Sequence, residues 1–392
     1  MKTIKVGVIG VAGRGATFVE HMNDPEGRSR VVAGMDVSDN AIDMFKKKMP
    51  DAYATKSVAD LLSRDIDAVV VASPDHMHAE QVTAAFAAGK HVYSEKPLGI
   101  TIEQCDGMLE AWQKSGRQFM VGFNMRYMNI FRAMKDIADS GAIGELKAVW
   151  VRHFVGYGGD WYYHDWHADK KNSTGLLLQK ASHDIDMIHW ITGKYTKRVV
   201  GMGAQMYYGG DKPNDLRCPA CAEKDTCVEY HYRDKGGNTM DQCVFRKESN
   251  VEDVSTVMME LDGGIQAMYT QCHFTPDYFR NYVFIGTEGR MENLDDHSKV
   301  VVKYRKRSKR GKNITSDEVH DIRPAEGGHG GADPVICRDF IDMILDGKKP
   351  ISTPLAGRMS VAVGVKATES LRGKSMPLDI PALPASIAGK VY

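Results

Sequence analysis

The sequence predicts an α/β chain: a doubly wound parallel sheet at the N-terminus, then an α+β domain with a large, mainly antiparallel open sheet. Three observations carry this. Apolar runs alternate with helical patterns up to residue 123, which implies crossover connections. After about residue 146 longer runs alternate or pair through turns. A glycine-rich turn follows the first run directly.

In residues 1–123 the expected strands are Ile4–Ile9, Val31–Met35, Ala68–Ala72, His91–Ser94 and Phe119–Phe123. A helix is expected from an Asx cap at Asp75 to Ala88, stopped by Gly89, with Val82, Ala85 and Phe86 on one face. TIEQ starts the next helix, with Thr101 and Gln104 as a capping box. The second domain, residues 124–392, has expected strands at Leu146–Val155, Lys197–Tyr207, Asp253–Leu261, Ile265–His273, Tyr282–Ile285 and Lys299–Lys306. LDGGI (Leu261–Ile265) and IGTEGR (Ile285–Arg290) read as hairpin turns. Helices are expected at Phe131–Asp139, Leu176–Ile191 and Asp333–Leu345.

The 392 residues suit two domains, and 43% hydrophobic with 26% charged residues is ordinary for a globular enzyme. Lys+Arg and Asp+Glu both total 51, so no basic surplus points to nucleic acid. No run approaches the roughly 18 apolar residues of a membrane span. The N-terminus reads as a first strand rather than a leader, which makes a cytoplasmic protein the expectation.

GVIGVAGRG (Gly7–Gly15) joins the first strand to a helix. Gly10 permits the tight turn, and Gly13 and Gly15 let backbone N–H groups approach a pyrophosphate at the helix N-terminus. Ala12 stands where G-x-G-x-x-G has glycine, a one-methyl departure, and Arg14 completes the loop. Asp36 ends the second strand, 26 positions beyond Gly10, where an acid accepts both ribose hydroxyls of an adenosine. Val37 follows, with no arginine for a 2′-phosphate, so the expected cofactor is NAD bound by a Rossmann domain.

ASPDHMHAEQV (Ala72–Val82) and VYSEKPLG (Val92–Gly99) lie at the C-terminal ends of the third and fourth strands, where ligands bind in open α/β sheets. With VGFNMRY (Val121–Tyr127), SGAIGEL (Ser140–Leu146), HDIDMIHW (His183–Trp190), GGHGGAD (Gly327–Asp333) and ATESLRG (Ala367–Gly373), these resemble the glucose–fructose oxidoreductase / inositol dehydrogenase (Gfo/Idh/MocA) family over nearly the whole chain.

The resemblance implies that Lys96 and His183 flank the reacting hydroxyl of a carbohydrate. Hydride leaves carbon for the nicotinamide while His183 takes the hydroxyl proton and Lys96 stabilises the developing alkoxide. It implies cofactor contacts from Ser73, Pro74, His78, Glu95, Lys96 and Asn124, a substrate contact from Arg126, and a homo-oligomer, dimer or tetramer. Many members place an aspartate four residues before the histidine, on the same helix face. This chain has Gln179, which can hydrogen-bond a hydroxyl but cannot relay a proton; Asp186 reads as a structural partner. In the loop Gly156–Gly175, Trp161, Tyr163 and Trp166 can stack on a sugar ring, with Asp160, His164 or Lys170 bonding hydroxyls; the loop can equally be interdomain packing. His329 is a further candidate substrate contact.

Two other readings share this apparatus: a redox cycle in which tightly held NAD oxidises a hydroxyl, lets a glycosidic bond break by elimination, and returns the hydride; and a non-catalytic, sugar-responsive regulator. Within an insert spanning 214–245, Cys218, Cys221, Cys227 and Cys243 have an x2 knuckle suited to a structural zinc; disulfides, free thiols or an iron–sulfur cluster are the alternatives. The chain's seven cysteines are an odd number, which argues against a pure disulfide framework. Lys303–Lys312 is a dense basic run, read as a solvated hairpin tip or as a site for a phosphate-bearing substrate.

Overall fold

The computed structural model describes residues 3–234, 239–294, 298–305 and 318–388. Among these, six strands form a parallel sheet: β1 Ile4–Ile9, β2 Ser29–Met35, β3 Tyr53–Thr55, β4 Ala68–Val71, β5 His91–Ser94 and β6 Phe119–Val121, in the order β3-β2-β1-β4-β5-β6. The central strands are continuous apolar runs because helices cover both faces: all four residues of β4 are buried. The helices are α1 Arg14–His21, α2 Asp39–Lys48, α3 Val58–Leu62, α4 His78–Ala87 and α5 Ile102–Ser115. At α5 the Thr101 hydroxyl accepts from Gln104 N–H as expected, but the Gln104 side chain bonds Ile100 N–H instead of closing the box.

The Asx cap expected at Asp75 does not form. Asp75–Met77 makes a separate 3₁₀ turn, and α4 starts at His78 with no side-chain cap.

The second sheet is built from β7 Leu146–Phe154, β8 Thr196–Ala204, β11 Val254–Leu261, β12 Gln266–Cys272, β13 Phe279–Gly286, β14 Gly289–Asn293, β15 Lys299–Tyr304, β16 Glu318–Asp321 and β17 Leu378–Asp379. Its order is β16-β15-β14-β13-β7-β12-β11-β8-β17, with β7–β12 parallel and the other neighbours antiparallel. A short hairpin, β9 Arg233–Asp234 with β10 Thr239–Met240, lies in the cysteine-bearing insert. Both expected hairpin turns are present, joining β11 to β12 and β13 to β14.

The helices here are α6 Asn129–Asp139, α7 Lys170–Ser173, α8 Leu176–Gln179, α9 Ser182–Thr192, α10 Gly328–Asp346 and α11 Pro354–Arg372. The single helix expected at Leu176–Ile191 is therefore broken at Lys180–Ala181, and Gln179 and His183 do not share one helix face. The cause is tertiary. Helix α11 approaches so closely that a Cβ on Gly364 would meet Leu177 O at 2.8 Å, and the Ser360 hydroxyl donates to Ser182 O.

One apolar core runs through both sheets, from Val6 and Val8 through Tyr93 to Val149, Tyr269 and Phe340. Buried Arg358 adds a cross-link, bonding Asp106 of α5 and the carbonyls of Pro381 and Ala382. No helix of the described residues is long and apolar enough to cross a membrane.

Candidate active site

The C-terminal ends of β1, β4 and β5 and the segment 162–183 enclose a cleft of about 760 Å³. Gly10 has φ +81°, and a Cβ there would meet Ala72 and Ser73 backbone at 2.9 Å; one on Gly15 would strike Gly10 O. Glycine is therefore required for the loop to close onto the strand ends. Gly13, at φ +51°, needs the left-handed conformation rather than the space. Asp36 accepts from Val11 N–H at 3.1 Å, Ala12 N–H at 3.4 Å and Ser38 N–H at 3.0 Å, so it braces the loop. Val37 beside it is 76% exposed.

Arg14 and Glu95 line the cleft, but they are engaged with each other. The guanidinium lies 2.9 Å from Glu95, 2.7 Å from Asp333 and 3.3 Å from His329 Nδ1. Burial works against its charge, and Glu95, Tyr93 and Asp333 outweigh burial, holding the proton more tightly than usual. Arg14 thus ties the glycine loop to the EKP box and to α10, which kinks at left-handed His329, Gly330 and Gly331. His329 also lines the cleft, with Nδ1 at 2.9 Å from Asp333.

Ser73, Pro74 and buried Asn124 line the cleft wall. The Ser73 hydroxyl donates to Gln81, and fully buried His78 spans from Ser73 O at 2.9 Å to Pro97 O at 2.8 Å. A neutral imidazole donates to one of these carbonyls at a time. The Lys96–Pro97 peptide is cis.

At the far end Lys96 and His183 line the same cleft, one from each domain. Lys96 Nζ donates to Gln179 O at 3.3 Å. Burial lowers its pKa, opposed by Tyr162 and Asp75. Burial also drives His183 well below the ordinary imidazole value, reinforced by the positive charges of Lys96, Arg280 and Lys180. His183 is therefore neutral at pH 7, the form that accepts a proton. Its Nδ1 has no hydrogen-bond partner, and its ring meets Phe123 edge-on. Gln179 is 5% exposed with Oε1 also unpartnered.

Other expected contacts lie elsewhere. Arg126 does not reach the cleft: it is buried, forked onto Asp186 at 2.8 and 2.6 Å, and donates to Ile351 O. Tyr163 is fully buried and stacks on Tyr208 with centroids 4.0 Å apart. Trp161 lies across the glycine loop in a second pocket of about 530 Å³. The reason is a π-helical turn at Gly159–Tyr163, which sends Tyr162 rather than its neighbours to the cleft. Trp166 does line the cleft, stacked on His167 at 3.7 Å. Asp160 pairs with His231, and His164 bonds Gln242 O. Cleft residues missed from the sequence include Asp75, Tyr162, His167 and Lys180. Of these, only Asp75 and Lys180 carried a signal, as polar neighbours of Pro74 and Gln179.

Cys218, Cys221, Cys227 and Cys243 converge with His164 on one small pocket, all as free thiols. Burial raises the pKa of Cys218 and Cys243. Among the described residues no group of three or more His, Cys, Asp or Glu is placed to hold a metal ion, so the expected zinc is not supported. Of the basic run, residues 306–312 lie outside the described residues; Lys303 and Tyr304 end β15.

A glycine-loop sheet with an acid at the second strand, opening onto a half-buried amine and a neutral imidazole, defines an NAD-binding oxidoreductase. The family models match it: the NAD-binding Rossmann fold over residues 4–123 and the C-terminal alpha/beta domain over 135–380. The chain belongs to the Gfo/Idh/MocA oxidoreductase family. It is 26% identical to the putative oxidoreductase YteT of Bacillus subtilis over 374 residues, 84% of this chain and 86% of that protein. It is 28% identical to the inositol 2-dehydrogenase of Salmonella typhimurium over 200 residues, spanning 50% of this chain and 57% of that protein. Among solved structures, Lactobacillus casei scyllo-inositol dehydrogenase with NAD(H) and scyllo-inositol bound has a TM-score of 0.72 at 22% identity, covering 97% of this chain and 100% of that one.

Proposed function

We propose that this protein transfers a hydride between NAD and a ring hydroxyl of a sugar, glycoside or inositol. The observation that carries the reading is that Lys96 and neutral His183 line one end of a cleft that begins at the glycine loop. The loop around Gly10–Gly15 and Asp36 would hold the dinucleotide, with Ser73, Pro74 and Asn124 along its length. When bound, NAD supplies the hydride acceptor. Lys96 donates to the substrate oxygen and stabilises its developing negative charge. His183 takes the hydroxyl proton. Gln179, Trp166 and His329 line the same cleft and would meet the rest of the ring. A panel of sugars, glycosides and inositols, followed by NADH absorbance, tests this. Glycoside cleavage without NADH accumulation would instead identify the elimination cycle.

NAD rather than NADP is the proposed cofactor, because the Asp36 carboxylate repels a 2′-phosphate. Asp36→Ser exchanges hydrogen bonds to a charged acceptor for weaker neutral ones, a loss of about 1.5–3 kcal/mol in all, so the NAD Kd should rise about 10–100-fold while NADP gains. Titration with both cofactors checks this; tighter NADP binding by the unaltered protein would refute it.

A homo-oligomer is proposed through the open face of the second sheet. Val200, Met258, Met268, Trp150 and Val283 are successive cross-strand partners on one face. Met258 is 62%, Trp150 52% and Met268 39% exposed, an apolar row of the kind that a second copy covers. The double substitution Trp150→Glu, Met268→Glu should give a monomer by light scattering; a mass already monomeric before substitution would rule the assembly out.

A further inference from the structure

Asp75 is a buried acid of the cleft to which the proposed chemistry assigns no role. It stands in the 3₁₀ turn after β4, is 4% exposed, and lines the cleft with Oδ2 lacking any hydrogen-bond partner. It caps no helix, because α4 begins three residues later without a side-chain cap. A carboxyl buried in this way is tolerated when it is neutral or faces a cation.

Lys96, in the loop after the adjacent strand β5, lines the same cleft and is the cation whose charge acts on Asp75. Lys96 is half-buried in the cleft wall, and the hydrogen bond of its Nζ goes to a neutral acceptor, the Gln179 carbonyl. The other charged and titratable groups around the pair are accounted for. Glu95 is held by Arg14. Tyr162 faces the pair from the opposite loop, and Lys180 lies over the Tyr162 ring at 5.4 Å. His183 faces Lys96 from α9; His76, in Asp75's own turn, meets Trp166 edge-on, and His78, at the start of α4, is bonded to two carbonyls.

We propose that Asp75 and Lys96 titrate as one coupled pair, with Asp75 the positioning acid that keeps the Lys96 amine charged for the substrate oxygen. The role rests on the proposed function; the coupling itself does not. The charge arrangement agrees. Burial raises Asp75 to about 8, against the pull of Lys96, and burial lowers Lys96, against the pull of Tyr162 and Asp75. Two groups that ordinarily titrate far apart are drawn together, so the observed steps belong to the pair. Lys96 donates as the ammonium, so activity falls as pH rises through its pKa. Removing the carboxylate lowers that pKa and moves the alkaline limb to lower pH.

The test is carbon-13 NMR titration of the full chain, with labelled aspartate carboxyls and lysine ε-carbons, with and without NAD. Asp75→Asn and Lys96→Met assign the two signals. Asp75 should titrate several pH units above an ordinary aspartate, a result read in the unaltered protein. Lys96→Met should raise the Asp75 midpoint, and Asp75→Asn should lower the Lys96 midpoint, each by about one unit or more. An Asp75 titrating in the ordinary carboxylate range, or a Lys96 midpoint unmoved by Asp75→Asn, overturns the coupling. Turnover does not enter these readouts. A pair that titrates as stated in a protein that oxidises no sugar or inositol therefore refutes the proposed function and leaves the coupling standing. With an oxidised substrate in hand, an alkaline limb of kcat/KM unmoved by Asp75→Asn overturns the positioning role.

Discussion

His183→Ala should lower turnover by about 10²–10⁴-fold, the usual contribution of a positioned general base. The imidazole is half-buried and neutral, and Lys96, Arg280 and Lys180 all disfavour its protonated form. A proton it accepts from substrate is therefore readily passed on. Its Nδ1 bonds nothing, so truncation leaves no stranded protein partner. The loss should appear in kcat, with NAD affinity and melting temperature nearly unchanged. Steady-state kinetics on an oxidised sugar or inositol, beside NAD titration and a thermal melt, checks this. Full turnover in the variant would show that the base lies elsewhere, and Tyr162, which faces Lys96 across the cleft, would be examined next.

Lys96→Met should cost about two orders of magnitude or more in turnover, as when a preorganised donor to a developing oxyanion is removed. Methionine keeps much of the stem's volume. The one bond lost inside the protein is that to Gln179 O, worth roughly 0.5–1.5 kcal/mol. Cofactor affinity should change little, because the glycine loop is braced independently by Asp36 and Arg14. Two residues serving one transition state are non-additive, so the double variant should be only slightly slower than the worse single one. Multiplied losses would mean that the two act on separate steps.

The parallel sheet was legible because a strand covered on both faces is an unbroken apolar run, as in β4 and β6. The hairpins at Asp262–Gly264 and Thr287–Glu288 and the cap at Thr101 were equally local. Strand β3 and helix α3 were missed because three and five residues show no periodicity. In the aromatic loop Trp161 and Tyr163 were expected at a sugar ring, but the chain turns through a π-helix at Gly159–Tyr163 and it is Tyr162 that lines the cleft.

The sequence by itself determined the two sheets, the glycine loop with its acid at Asp36, and the presence of an amine and an imidazole in suitable segments. Tertiary structure alone decided which of these groups meet and what charge they carry. Lys96 reaches Gln179 across 83 residues of chain, and Arg14 reaches Asp333 only because α1 packs on α10. Arg126, a substrate contact by resemblance, is spent on Asp186, while Asp75, a helix cap by pattern, faces the cleft. The physical reason is desolvation. Burial sets whether a carboxyl, an amine or an imidazole is ionised, and burial follows from packing, not from order along the chain.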